Sequence, residues 1–92
     1  MEVRLFATLR PLVGGASVQL ETGPGQPVRA LLDELVERHP ALRPEIYDEK
    51  GELHHRIHVF VNGRDAQFLE NGIETRIMPD DVVNVFPAVG GG

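Results

Sequence analysis

The sequence contains no cysteine among its 92 residues. This absence excludes a disulfide framework, a thiolate nucleophile, a zinc site with cysteine ligands and a cysteine-ligated iron–sulfur cluster. Tryptophan is absent as well, and Lys50 is the only lysine. Any reaction of this chain therefore proceeds without a side-chain thiol.

Basic residues are scarce, and long hydrophobic runs are missing. Nine Lys and Arg against fourteen Asp and Glu give a formal net charge of −5, without a basic cluster, so nucleic acid is not an expected partner. No apolar run approaches the ~20 residues that span a bilayer, and residues 1–4 begin an amphipathic strand rather than a signal sequence. We therefore expect no membrane partner and a cytoplasmic location.

The residues that are present have the composition of one globular domain. Apolar residues make up 41% of the chain and charged residues 25%, and this length leaves room for a single modest core. Glycine occurs ten times, and three of these glycines are the last three residues of the sequence.

The N-terminal part of the sequence predicts a β-hairpin followed by a helix. Alternating apolar residues predict a strand over residues 3–10, Gly14-Gly15 marks a turn, and residues 16–21 alternate again as the returning strand. Pro27 suits the first turn of a helix that ends before Pro40. This helix has a single apolar stripe, formed by Val28, Leu31, Leu32, Leu35 and Val36.

The C-terminal part predicts a long loop and three further strands. Residues 40–55 have no clear period and are assigned to a loop, with a short helical turn near residues 44–48. A clear strand over residues 56–61 precedes Asn62-Gly63, a strong tight-turn signal. A weaker strand is predicted over residues 73–77. After a turn at residues 79–81, the last strand continues to Pro87.

This order of elements predicts an α+β fold. A helix that follows a hairpin requires a parallel strand pair, and the right-handed crossover rule then favours a β-grasp, or ubiquitin-like, roll. We expect a mixed sheet of four to five strands with one main helix packed on one face and with the first and last strands paired in the middle. Residues 1–87 would form this domain, and residues 88–92 would form a flexible glycine tail.

Three of the four phenylalanines are predicted to share the sheet surface that lies opposite the helix. Phe6, Phe60 and Phe86 each occupy the outward position of a central strand. Because a large exposed aromatic patch usually marks an interaction site, we interpret this surface as a docking surface. In the alternative, the loop over residues 40–55 folds across it and buries one or two of the rings.

The sequence has no conventional active site. The four histidines lie in loops or on opposite strand faces, and no carboxylate or cysteine stands at ligand spacing, so no metal site is expected. Gly14-Gly15 and the glycines at 23 and 25 lack the lysine of a phosphate-binding loop. The last three glycines are more informative, because a tail without Cβ atoms can enter a narrow channel of a partner.

Three segments together resemble the MoaD/ThiS family of ubiquitin-like sulfur carriers. They are residues 5–10 (LFATLR), residues 61–63 (VNG) and residues 81–92 (DVVNVFPAVGGG). The family typically ends in a strand, a Phe-Pro or Leu-Pro pair, two or three residues and a terminal Gly-Gly. Two positions depart from this pattern, since Asp80 stands where the family often has glycine and Gly90 where a small β-carbon residue is commoner.

The resemblance implies a carrier rather than a stand-alone catalyst. In this family a ubiquitin-activating-like adenylyltransferase uses ATP and magnesium to adenylate the last glycine, and a persulfide donor then converts it to a thiocarboxylate. No cofactor would be bound permanently. By position, Gly92 would be the chemical site and Gly91 would let the tail thread into the partner. The other partner-binding candidates are Phe6, Phe60, Phe86, Arg10 and Gly90.

The resemblance leaves the sulfur acceptor open. One reading is the small subunit of molybdopterin synthase, which serves molybdenum cofactor biosynthesis by docking on a large catalytic subunit. A second is a carrier for cysteine biosynthesis that works with a pyridoxal-phosphate cysteine synthase, and residues 51–54 (GELH) and 87–89 (PAV) resemble that group. A carrier for tRNA thiolation, a covalent protein modifier and a binding module with an inert tail are further alternatives.

Overall fold

Five strands form one mixed sheet in the order β2-β1-β5-β3-β4. The computed structural model describes residues 1–88. The central pair β1 and β5 is parallel, and the other neighbouring strands are antiparallel. The strands are β1 (Glu2–Leu5), β2 (Ser17–Gln19), β3 (Ile57–Val61), β4 (Arg64–Asp65) and β5 (Val83–Pro87), and the helices are α1 (Arg10–Val13), α2 (Val28–Arg38) and α3 (Arg43–Ile46). This arrangement confirms the predicted β-grasp roll with its first and last strands in the middle.

Helix α2 covers one face of the sheet, as its apolar stripe predicts. The five residues of that stripe are all buried, and they pack in one core with the inward residues of β1, β3 and β5. Pro27 is the N-cap of the helix rather than its first residue, and the N–H of Val28 donates to the carbonyl of Thr75. Within residues 1–88, no helix is long and apolar enough to cross a membrane.

The first strand is shorter than the sequence predicts. Residues 3–10 alternate throughout, but β1 ends at Leu5 because Ala7 has a φ of 53°, in the left-handed region where a strand cannot continue. Residues 7–9 form a 3₁₀ turn that leads into α1, so Leu9 reaches the core from a helical segment. The glycine at 14, with φ of 76°, caps α1 instead of forming the tip of a two-stranded hairpin.

The prediction of a strand over residues 73–77 is wrong. Residues 72–74 form a 3₁₀ turn, and the segment contributes only an isolated bridge between Pro27 and Arg76. Its backbone instead supports the start of α2 through the Thr75 carbonyl. The fourth strand is β4, which follows the Asn62-Gly63 turn directly, with φ of 53° and 81° at those two residues.

The long middle loop packs beside α2. It contains a 3₁₀ turn over residues 40–42 and then α3, which confirms the predicted helical turn although it begins slightly earlier. Ile46 is fully buried in the core, and the Tyr47 hydroxyl donates to the Asp33 carboxylate at 2.6 Å. Burial, together with this hydrogen bond, raises the pKa of the Tyr47 phenol, so the group remains a neutral donor.

The Glu34 carboxylate joins α2 to the end of the hairpin. It accepts the backbone N–H groups of Glu21 and Thr22 at 2.9 and 2.8 Å and the Thr22 hydroxyl at 2.7 Å, and it pairs with Arg38 at 2.8 Å. Burial raises the pKa of this carboxyl, but these hydrogen bonds and the Arg38 charge outweigh it and lower the pKa to about 2. The ionised form therefore stabilises the fold.

We expect Glu34→Gln to lower the free energy of unfolding at pH 7 by about 1 to 3 kcal/mol, because charge-assisted hydrogen bonds are lost. Since the folded-state pKa lies below the ordinary value, the stabilisation is present above pH ~4.5 and is lost as the pH falls towards ~2. Urea unfolding across this range measures the effect, with Glu37→Gln on the exposed side of α2 as the control. A deficit of the same size near pH 2 would contradict the prediction.

We expect Ala7→Gly to raise the free energy of unfolding by about 0.5 to 1 kcal/mol, because glycine adopts a φ of 53° without a Cβ penalty. Ala7→Val should lower it, since a β-branched side chain fits this conformation poorly. Ala16→Gly is the matched control, because Ala16 is exposed and has an ordinary φ, and it should not be stabilised. Equal destabilisation of both glycine variants in urea unfolding would show that Ala7 is not strained.

Candidate functional site: the aromatic face and the end of the last strand

The structure brings Phe6, Phe60 and Phe86 together on the sheet surface opposite α2. The rings of Phe6 and Phe86 stack with centroids 4.1 Å apart, and Phe60 meets Phe86 edge to face at 5.3 Å. All three side chains are half-buried. We call this cluster of three rings the aromatic face.

The strand register explains why the three rings meet. On β3 the outward residues are His58 and Phe60, and on β5 they are Asn84 and Phe86, while Val59 and Val85 point into the core. His58 lies opposite Phe86, and Phe60 lies opposite Asn84. Phe6 follows β1 directly and stays beside β5, because its N–H donates to the carbonyl of Val85.

The middle loop, residues 40–55, takes no part in the described contacts of these three rings. The described contacts of Ile46 and Tyr47 in that loop go to the core and to α2, on the other side of the sheet. The alternative in which residues 40–55 fold across the aromatic face is therefore not the arrangement that the structure shows. The described ring contacts are those of the three rings with one another, of Phe6 with Arg10 and of Phe60 with His58.

Arg10 lies over the aromatic face, although the shortened β1 means that it reaches this place from α1. Its guanidinium carbon is 5.0 Å from the centre of the Phe6 ring, and its Nε donates to the carbonyl of Leu5 at 2.8 Å. The first contact is a cation–π interaction, and the second holds the side chain in place. The arrangement extends the aromatic face by one cationic group that stays available to a partner.

Sequence reasoning missed a contact between His58 and Asp65 at the other edge of the aromatic face. The Nδ1 atom of His58 lies 2.9 Å from Oδ2 of Asp65, and Oδ1 of the same carboxylate accepts the N–H of Gln67. Burial raises the pKa of the Asp65 carboxyl, but hydrogen bonds from Gln67 and His58 outweigh it and lower the pKa below its usual range. Asp65 lies on the two-residue strand β4. The sequence could have indicated this contact, because a hairpin with Asn62-Gly63 as its turn places Asp65 opposite the outward residue Phe60.

A shallow depression of about 460 Å³ opens between β3 and β5 on this surface. Its lining includes polar and aromatic groups, and the side-chain oxygen of Asn84 is buried there without a hydrogen-bond partner in residues 1–88. The lining residues are His58, Phe60, Gly63, Asn84, Phe86 and Pro87.

The last strand ends beside the aromatic face. Pro87 pairs with Ile57, and the N–H of Ala88 donates to the carbonyl of Arg56 at 2.5 Å. Ala88 is therefore held by the sheet edge two residues after Phe86. The predicted site residues Gly90, Gly91 and Gly92 lie outside the described residues, and the flexibility of the tail over residues 88–92 stays a prediction.

The remaining histidines form no metal site in the described part of the chain. The rings of His54 and His55 stack at 4.7 Å, and the Nδ1 atom of His54 accepts the N–H of Arg56 at 3.1 Å. Among residues 1–88, no three His, Cys, Asp or Glu side chains come together as metal ligands. A wider depression of about 710 Å³ lies along the middle loop between Arg43 and His55 and contains none of the predicted site residues.

Comparison with known proteins gives a family match over almost the whole chain. The model of the ThiS family matches residues 3–92. Small archaeal modifier protein 1 from Haloferax volcanii is 35% identical over 92 residues, which cover 100% of both chains. A crystal structure of SAMP1 from that organism superposes with a TM-score of 0.84 at 33% identity, over 99% of this chain and 97% of that chain.

Sulfur carriers show the same degree of similarity. Sulfur carrier protein CysO from Mycobacterium tuberculosis is 30% identical over 92 residues, covering 98% of this chain and 96% of CysO. A chain of the crystal structure of the Amycolatopsis orientalis BexX/CysO complex superposes with a TM-score of 0.79 at 32% identity, over 99% of this chain and 98% of that one. The chain therefore belongs to the ThiS family and has the ubiquitin-like β-grasp fold of its sulfur carriers and protein modifiers.

Proposed function

We propose that this chain carries sulfur as a thiocarboxylate on Gly92. A ubiquitin-activating-like adenylyltransferase would activate the carboxylate with ATP and magnesium. The observation that carries the proposal is the position of the aromatic face beside the end of β5. Its residue Phe86 lies two residues before Ala88, whose N–H is bonded to the sheet. The family match over residues 3–92, which includes the glycine tail, supports it.

The chemistry needs no thiol from this chain. The Gly92 carboxylate attacks the α-phosphate of ATP, and pyrophosphate leaves, which gives an acyl-adenylate. The terminal sulfur of a persulfide then attacks the carbonyl carbon, and AMP leaves. A second thiol reduces the resulting acyl disulfide, which releases the thiocarboxylate and forms an ordinary disulfide on the donor side. The absence of cysteine is consistent with a carrier whose sulfur is held on the backbone terminus.

The aromatic face would supply the binding free energy that a glycine tail alone lacks. Ordering three glycines in a channel costs ~3 to 6 kcal/mol of backbone entropy, and glycine offers no side chain to offset it. Burying two or three phenylalanine rings against a partner can offset this cost, since each fully buried ring contributes ~1.5 to 3 kcal/mol. Arg10 would add a charged contact at the edge of the same surface.

Among the sulfur acceptors, we favour a pyridoxal-phosphate cysteine synthase. Support comes from the similarity to CysO, a named sulfur carrier, and from residues 51–54 (GELH) and 87–89 (PAV), which resemble the cysteine-biosynthetic group. The large subunit of molybdopterin synthase and the tRNA-thiolation system are the other acceptors for this chemistry. A putative molybdopterin converting factor, subunit 1, from Pyrococcus furiosus also superposes at 32% identity, but its TM-score of 0.72 is below the 0.79 of the chain from the BexX/CysO complex, so this acceptor has less support.

Covalent protein modification is the second candidate function. It is favoured by the 35% identity to small archaeal modifier protein 1 over both full chains. The acyl-adenylate would be the common intermediate, and attack by a target lysine instead of a persulfide would give an isopeptide bond. The two functions are therefore distinguished by the nucleophile that consumes the same activated Gly92.

We expect the C-terminal peptide to gain the mass difference between sulfur and oxygen when the chain is incubated with the adenylyltransferase, ATP, magnesium and a persulfide donor. Deleting Gly91 and Gly92 should abolish the gain without lowering the thermal unfolding midpoint, because the core that the structure describes within residues 1–88 does not include them. Intact-mass and peptide mass spectrometry measure the change. An unchanged mass with an adenylyltransferase that consumes ATP would overturn the carrier function, whereas new conjugates with target lysines would favour the modifier.

We expect Phe60→Asp to weaken binding to the adenylyltransferase by more than about 30-fold, because a carboxylate would replace a central ring of the aromatic face. The matched control is Phe68→Asp, since Phe68 is 78% exposed and takes no part in the described ring contacts. The control should bind within about twofold of the wild type. Calorimetric titration gives both affinities, and equal affinities for the two variants would exclude the aromatic face as the docking surface.

A further inference from the structure

We propose that the depression between β3 and β5 is a pocket for an arginine side chain of the activating adenylyltransferase. The proposal rests on the proposed function for the identity of the partner, but its evidence is separate. It comes from one buried polar atom of Asn84, the two rings beside it and the charges around it.

The first observation is the unpaired amide of Asn84. This residue lies on a central strand between Arg4 of β1 and Phe60 of β3, and its Oδ1 is buried without a partner in the described chain. A buried oxygen without a donor destabilises the free domain, whereas an aliphatic residue would fit an aromatic surface at no such cost. An amide at this position is therefore explained if a partner supplies the missing donor.

The surroundings of the amide indicate a cationic donor. The rings of Phe60 and Phe86 line the depression at 90° to each other, and Asp65 lies opposite Phe60 on β4. The face of an aromatic ring attracts a cation. A guanidinium can stack on a ring and donate to the amide oxygen at once, which an ammonium does less well.

The pocket is accessible from the side of the Asn62-Gly63 turn. A Cβ atom at Gly63 would meet nothing within 4 Å, so the space beside this residue is open. The Asn84 residue as a whole is partly exposed and lines the depression, so an entering group can approach its amide from there. A long side chain can therefore reach the amide without displacing a backbone segment.

The two ends of the aromatic face differ in charge, with Arg10 at one end and the pocket near the other. Arg10 lies over Phe6 on the β1 side and Asp65 lies on β4 at the other edge, whereas Asn84 lies between them on β5. A complementary partner would place a carboxylate against the first end and an arginine against the second. This polarity would define the orientation in which the domain docks, which three phenylalanines alone would define poorly.

The test compares Asn84→Leu and Asn84→Asp with the wild type in calorimetric titrations against the adenylyltransferase. Asn84→Leu should weaken binding about 10- to 100-fold, because the acceptor for a charged donor is lost, while the thermal unfolding midpoint stays the same or rises by a few degrees. Asn84→Asp should bind at least as tightly as the wild type and lose affinity more steeply with added salt, since it offers a charged acceptor. Gln19→Leu is the matched control, because it removes an exposed amide from β2 on the same side of the sheet.

The outcomes separate the pocket from the proposed function. An Asn84→Leu variant that binds within about twofold of the wild type, or an Asn84→Asp variant that binds as weakly as Asn84→Leu, would overturn the pocket. The carrier function would stand in either case if the wild type still gains the sulfur mass on Gly92. A wild type that neither binds the adenylyltransferase nor gains this mass would overturn the proposed function and, with it, the assigned occupant of the pocket.

Discussion

The parallel pairing of β1 with β5 is the constraint on which the rest of the structure depends. Two parallel neighbours cannot be joined by a tight turn, so the chain between them must supply a crossover, and α2 packs along one face of the sheet as part of it. Because the pairing brings the two ends of the described chain to the centre of the sheet, Phe6 and Phe86 become neighbours although they are eighty residues apart in sequence. Because of the same pairing, the C-terminal end of β5 lies beside the aromatic face.

In the described residues 1–88, the helix covers only one face of the sheet and no second layer covers the other. That face combines three half-buried rings, an arginine placed over one of them and an amide oxygen that finds no donor in this part of the chain. Each feature is unfavourable or neutral for the isolated domain and becomes favourable against a complementary surface. These features support the proposed role of the surface in docking.

Periodicity predicted those elements whose side chains are divided between core and solvent. The stripe from Val28 to Val36 predicted α2, and the alternation from Ile57 to Val61 predicted β3, because both patterns are long enough to define a period. The Phe60 and Phe86 rings followed from the same alternation. The pattern failed at Ala7, where alternation continues but a positive φ ends the strand, and φ is not encoded in hydrophobicity. It also missed β4, whose two residues are too few to show a period, and with it the pairing of Asp65 to His58.

The hydrogen bond from Ala88 to the Arg56 carbonyl limits how far Gly92 can reach. Gly92 is four residue steps from Ala88, and a fully extended chain covers ~3.3 to 3.6 Å per residue, so the carboxylate on which the proposed function depends can lie at most ~14 Å beyond Ala88. A docked domain can thus serve only catalytic centres inside that radius from the end of β5. Distance from the docking surface, as well as chemistry, would then limit which enzymes can use the carrier.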